Sequence, residues 1–209
     1  MGNYLAARDY LKSQQPELAW KEIYDATAKS GFQDYTTERL QGLEEMYLDS
    51  GRSAAEAKAL AMMSLQLPHL MLLRDLGKEM SAIEQQSFAA GDAAAAQTTA
   101  RLGLALAGNL SGEGSPTLLG QLVGLSVERK FLNGLDPNGS YDFLPQTVSE
   151  RLGQLQAREK SIREAARFFD PWMKSASEAE LIGYFDRMKI YGEAAAVSWA
   201  QNRVRDRGP

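Results

Sequence analysis

The chain has no cysteine and a single histidine in 209 residues. Without cysteine there are no disulfides, no thiolate zinc sites and no thiol nucleophile. With His69 alone there is no HExxH helix and no choice of histidine for a Ser/His/Asp arrangement. The Glu-x-x-His pair of a di-iron bundle fails as well, because position 66 is Gln. His69 follows Pro68 and reads as a partly exposed residue in a first helical turn. GxSxG and SxxK are missing. Gly77-Lys78 is no phosphate loop, since Leu72 stands where the first glycine belongs and Glu79 where Ser or Thr would hold magnesium. GEGSPT at 112–117 lacks the third glycine of a dinucleotide loop. No catalytic residue, cofactor or metal ligand is therefore assigned.

Charge of one sign is also missing. The 23 Lys and Arg stand against 27 Asp and Glu, for a net charge of −4. The basic residues are scattered, so the electrostatic footprint of a nucleic-acid binder is absent. Only Arg203, Arg205 and Arg207 cluster, and they read as a solvated cationic helix end that suits the helix dipole. Long apolar runs are missing too: the stretch from Thr117 to Val127 is about half the ~20 residues that a spanning helix needs. No membrane insertion is expected. Met1-Gly2 runs directly into a helical pattern, with Ala6 where a myristoylation signal wants Ser or Thr. The chain reads as a cytoplasmic protein or the extracytoplasmic part of a trimmed envelope protein.

What is present is helical periodicity broken by Gly, Pro and Asp. Leu5 and Leu11 mark a first helix, and Pro16 opens a second that Gly31 ends. Thr36 and Thr37 precede a third, stopped by Asp49-Ser50-Gly51. Ser53 is placed to cap a fourth, which stops near Pro68. A fifth runs from about His69 to Ala90 with Leu70, Leu73, Leu76, Met80, Ile83 and Phe88 inward. Gly91 breaks the pattern and Asp92 caps the next helix, through Leu102 and Leu106. After GNLSGEGSP, with Pro116 suited to a first turn, TLLGQLVGLSV is apolar nearly all round. Gly120 and Gly124 lie on one side of it, which points to the close approach of another backbone. Asp136-Pro137-Asn138-Gly139 predicts a type I turn. Thr147 or Ser149 then starts a long helix that Asp170-Pro171 breaks. Ser177, with Glu180 at the capping-box position, opens the last one, through Trp199. About nine helices and no strand result. They form one domain over 1–209, with the loop 133–146 as the place where it would subdivide.

Three of the corners look alike: YLKSQQPELAW from Tyr10, YLDSGRSAAEAKAL from Tyr47 and FAAGDAAAAQTTARL from Phe88. Their spacings of 37 and 41 residues fall near the roughly 34 to 47 of helical-hairpin repeats. The segment YLDSGRSAAEAKALAMMSLQLP has Gly at the turn, small residues opening the second helix and Pro after it, and in this it resembles the tetratricopeptide family. TLLGQLVGLSVE, preceded by a small-residue helix pair, resembles uncharacterised bacterial all-helical proteins, a likeness that implies no activity. The expected fold is all-α: stacked helical hairpins, as an irregular right-handed α-solenoid or an orthogonal bundle.

The function expected is a scaffold that binds a protein or peptide partner through a concave face and a few aromatic anchors. Tyr141, Phe143 and Phe168 are the candidate anchors. The alternative is an all-helical enzyme or small-molecule binder using carboxylates. Glu45 with Asp49 and Glu178 with Glu180 offer pairs, although acid/base work needs unequal environments. Asp136, Asn138, Ser140 and Asp142 alternate oxygens like the start of a calcium loop. Tyr141 stands where that loop needs Gly and Thr147 where it needs Glu, so an EF-hand is not expected.

Overall fold

A computed structural model describes residues 1–29, 32–112 and 115–206. Gly31, Arg207 and the Glu113-Gly114 part of GEGSPT lie outside the described residues. Ten helices and no strand occur among those described: α1 (Gly2–Lys12), α2 (Pro16–Thr27), α3 (Thr36–Asp49), α4 (Ala54–Ser64), α5 (Pro68–Ala89), α6 (Ala93–Ser111), α7 (Leu118–Leu132), α8 (Val148–Ser175), α9 (Glu178–Tyr191) and α10 (Glu193–Asp206). Successive helices pack as hairpins, α1 on α2, α3 on α4, α5 on α6 and α9 on α10. The fold is thus an all-α stack of helical hairpins.

The three similar corners share one geometry. Gln14, Gly51 and Gly91 all take positive φ, at 57°, 86° and 78°. After each, the next amide reaches five residues back, Gln15 to Tyr10, Arg52 to Tyr47 and Asp92 to Ser87. This is the Schellman closure, which satisfies carbonyls that a helix end leaves open. Ser53 and Ser177 both form complete capping boxes, with Glu56 and Glu180. Asp92 accepts from the Ala95 N–H.

Four expectations change. α8 runs through Pro171 to Ser175. Proline removes a hydrogen bond to residue 167, but Trp172, buried among Phe168, Phe169 and Tyr184, holds the helix on its course. The last predicted helix is two, because Gly192 at φ 84° turns the chain between α9 and α10. α3 begins at Thr36 itself, with Tyr35 in a left-handed conformation ahead of it. Pro116 lies before α7 and not in its first turn.

The chain forms two compact units, each built from separated segments. The first comprises Met1–Asp34, Pro68–Gly112 and Leu119–Glu159, and the second Tyr35–Leu67, Glu113–Leu118 and Lys160–Pro209. The loop 133–146 lies inside the first.

In the first unit α6 presents Gly103, Ala107 and Ser111 to α7. A Cβ on Gly124 would stand 2.6 Å from the Ser111 N and 2.8 Å from the Ala107 O, so backbone meets backbone there. The Phe131 ring fills the place where Gly103 has no side chain. Arg158 of α8 donates to the Ser111 carbonyl and closes the end of α6. Leu73, Leu76, Met80, Leu106 and Leu110 complete this core. Each fully buried leucine contributes roughly 2 kcal/mol.

The second unit relies on rings. Phe169, Trp172, Tyr184 and Phe185 touch in series, with centroids 4.9 Å apart for Phe169–Tyr184 and 5.2 Å for both Trp172–Tyr184 and Tyr184–Phe185. Contacts of this kind add to the area they bury.

Candidate interaction surface

Large apolar side chains left exposed are unequally shared. Leu18, Tyr24, Met71 and Leu119 belong to the first unit, whereas Tyr35, Met46, Leu48, Met63, Ile190, Tyr191 and Val204 belong to the smaller second one. Met63 is the most exposed, at 75%, and Met46 stands at 51%.

These two methionines share a face of the α3–α4 hairpin. The Tyr47 hydroxyl and the Ser64 Oγ are 2.7 Å apart, so both side chains turn toward the partner helix, and in that sense Tyr47 and Ser64 are a facing pair. The helices of a hairpin are related by a two-fold axis normal to the hairpin plane, and each residue is rotated about 100° from its predecessor. The residue before each member of a facing pair therefore emerges on the same side, and these are Met46 and Met63. Leu43 and Leu60, four before Tyr47 and Ser64, are half-buried between them. The outcome is an aliphatic strip edged by Gly42 and Ala59, whose small side chains leave the flanks low.

The opposite side of the hairpin is closed. Glu44 accepts from Lys58 and Lys189, each at 2.6 Å, and Lys58 also reaches Asp186 at 2.6 Å. Burial pushes Glu44 up, but the lysine hydrogen bonds outweigh it and hold its carboxyl below the usual range. Burial pushes Lys58 down, and its two carboxylate partners more than restore it. The strip and the charge network thus occupy different sides of one hairpin.

The sequence-predicted anchors fall elsewhere. Tyr141 and Phe143 come together in the first unit, half-buried and stacked with centroids 5.4 Å apart. Both are engaged within their own unit. The Tyr141 ring covers Gly139 and its hydroxyl accepts from the Asp136 N–H, while Arg101 lies 5.5 Å over Phe143 and pairs with both oxygens of Asp142. The predicted turn forms, with Gly139 donating to the Asp136 carbonyl at 2.9 Å. The Asp136 carboxylate accepts from the Asn138 N–H within the loop, and that of Asp142 is held by Arg101 of α6. Phe168 belongs to the second unit and stacks on Trp172, 6.3 Å between centroids.

His69 is buried, not partly exposed, with Nε2 3.5 Å from Asp34. The paired carboxylates are also accounted for: Glu180 closes a capping box, and Glu45 accepts from Gln41. Arg203 and Arg205 lie exposed in the last turn of α10. Among the described residues, no helix is long and apolar enough to cross a membrane, and no group of three His, Asp or Glu stands ready for a metal ion.

The acid that sequence reasoning passed over is Glu84. It is fully buried, neither carboxyl oxygen has a hydrogen-bond partner among the described residues, and burial pushes its pKa up to about 8. The signal was there: Leu73, Gly77, Met80 and Glu84 form one stripe at heptad spacing, and Glu84 is its polar member. Glu193 is also raised by burial, against the hydrogen bond that it accepts from the Leu118 N–H at 2.7 Å.

No family model, no curated protein sequence and no solved structure matches the chain.

Proposed function

We propose that the chain is a helical-hairpin docking module that takes an amphipathic helix of a partner protein on the outer face of α3–α4. The observation that carries this reading is the pair Met46 and Met63, exposed on one face with Leu43 and Leu60 between them. Two antiparallel helices leave a shallow furrow, and a third helix fills it with apolar residues at i, i+3, i+4 and i+7. Methionine suits the purpose, since its flexible thioether adapts to different partners. The segment from Tyr47 to Pro68 that resembles the tetratricopeptide family includes α4, which fits a role in binding helices. An enzyme using carboxylates has less support, because Glu84 is enclosed and Glu44 is tied to two lysines.

The test places a photo-crosslinking residue at Met63 in the native host, with Gln86 as the control position. The expected adduct joins position 63 to a segment with apolar residues at helical spacing. It disappears when Met46→Asp is added, while the melting temperature stays within about 1 °C, as befits an exposed position. Equal labelling from positions 63 and 86 would sink the reading.

A further inference from the structure

In the first unit α5 and α7 touch at two points. A Cβ on Gly77 would meet Val127 at 2.7 Å, and one on Gly134, just beyond α7, would meet the Glu84 carboxyl at 2.9 Å. Residues 77 and 84 are seven apart, and so are 127 and 134, so the two helices run parallel in matched register. Alongside that seam lies an open groove of about 340 Å³, lined by Lys78, Ser81, Ala82 and Gln85 of α5 and by Lys130 and Asn133 of α7 and its end. Every polar side chain in this lining can donate a hydrogen bond, and no carboxylate is among them.

The two lysines differ from those of the second unit. Lys58 and Lys189 are bound to Glu44 and Asp186, whereas Lys78 and Lys130 enter no ion pair or hydrogen bond among the described residues. Glu84, in the seam between α5 and the end of α7, is kept uncharged by burial and does not cancel them.

We infer that this groove binds a small phosphomonoester. Ammonium groups act as point charges, and with the hydroxyl and amide donors of Ser81, Gln85 and Asn133 they converge on a tetrahedral dianion. A planar carboxylate would be matched better by the fork of an arginine, and none lines the groove. The volume stands at the small end of ligand pockets. Beyond Lys78 an adjoining groove carries Asp75 and Glu79. Those acids repel a second phosphate, so a nucleic-acid strand or other polyphosphate finds no path, and a single phosphate fits.

The test is a titration followed by amide NMR shifts, with inorganic phosphate, glycerol 3-phosphate, acetate and a short single-stranded DNA as probes. Vesicles of phosphatidic acid, assayed by sedimentation, form a separate arm. Saturable shifts confined to residues 78–85 and 130–134 are expected with both phosphates, at least fivefold tighter than with acetate. Lys78→Gln with Lys130→Gln should weaken phosphate binding at least tenfold at an unchanged melting temperature, and Lys78→Arg should retain it. Vesicle binding without response to the soluble phosphates would assign the groove to a lipid surface and overturn the proposal. So would tighter binding of the DNA, or shifts that survive the double substitution.

Discussion

The two units of this chain solve the same packing problem with opposite materials. The first brings helices together by deleting side chains, with Gly103 under Phe131, Gly77 under Val127 and Gly124 against the backbone of α6. The second fills the space between its helices with Phe169, Trp172, Tyr184 and Phe185. They also treat buried charge differently. Glu84 has no hydrogen-bond partner among the described residues and is kept protonated by burial, whereas Lys58 is enclosed with two carboxylates and stays charged. A backbone-on-backbone crossing cannot take in another atom, while a cluster of rings can shift. The first unit should therefore be the less tolerant of added volume.

The strongest way to break that comparison is Gly124→Leu. The new side chain meets the Ser111 N and the Ala107 O, which are backbone atoms and cannot rotate away. The expected cost exceeds about 4 kcal/mol, comparable to the stability of a whole domain. The check is thermal unfolding by circular dichroism. A loss under about 1 kcal/mol would mean that α6 and α7 separate at little cost.

Next in size is Glu84→Gln. An ordinary glutamate titrates near 4.5, and Glu84 in the folded chain near 8. Between those values the unfolded state is ionised and the folded state protonated, so folding takes up a proton and stability falls as pH rises. Above 8 both states are ionised and the fall stops. At pH 7 the penalty is roughly 3 kcal/mol. Glutamine removes the charge, so the variant should be more stable than the parent at pH 7 and equal to it at pH 4. Parallel stability–pH curves for the two proteins would show that Glu84 finds a partner after all.

The corners of this fold were legible in the sequence because each rests on a local device: Ser53 and Ser177 as caps, Asp92 likewise, Gly51 and Gly91 at the turns. Gly124 was legible as well, since a glycine kept inside an apolar helix needs a reason and close approach is the usual one. Pro171 misled because a proline break is a local rule, and the burial of Trp172 that overrides it is tertiary. The division into two units was hidden for a related cause. Each is assembled from separated segments, so no linker marks a boundary. Tyr141, Phe143 and Phe168 looked like surplus aromatics, but Gly139, Arg101 and Trp172 supply their neighbours, and these lie on turns or helix faces that composition does not bring together. The Met46–Met63 strip went unnoticed because each methionine falls within a plausible core pattern. Only the Tyr47–Ser64 contact fixes which side of each helix faces the other.

A smaller effect is expected at the charge network of the second unit. Lys58→Met keeps the length of the stem and removes two hydrogen bonds, one to Glu44 and one to Asp186. Glu44 retains Lys189, so it is not left alone in the interior. The loss should be roughly 2 kcal/mol at pH 7. Its pH dependence is opposite to that of Glu84. Glu44 has a lowered pKa, so its contribution is present above about 4.5 and disappears as pH falls through the folded value. The gap between parent and Lys58→Met should narrow in acid, where removal of Glu84 ceases to matter. A gap that stays constant down to pH 2.5 would reduce Lys58 to a packing residue.

The smallest effect compares two corners of identical shape. Gln14 closes the α1–α2 hairpin of the first unit and Gly51 the α3–α4 hairpin of the second, both with positive φ and the same backward amide bond. Glutamine pays for its Cβ in that conformation and glycine does not, although glycine also frees the unfolded chain. Gln14→Gly should therefore stabilise by about 0.5 kcal/mol, and Gly51→Gln should destabilise by about 1 kcal/mol. The two substitutions exchange residues between corners of the same backbone geometry, so the conformational contributions oppose each other and only the surroundings of each side chain differ. Opposite signs in chemical denaturation would support a shared corner geometry. Equal signs would mean that the tertiary contacts around Gln14, and not its backbone angle, decide which residue that corner accepts.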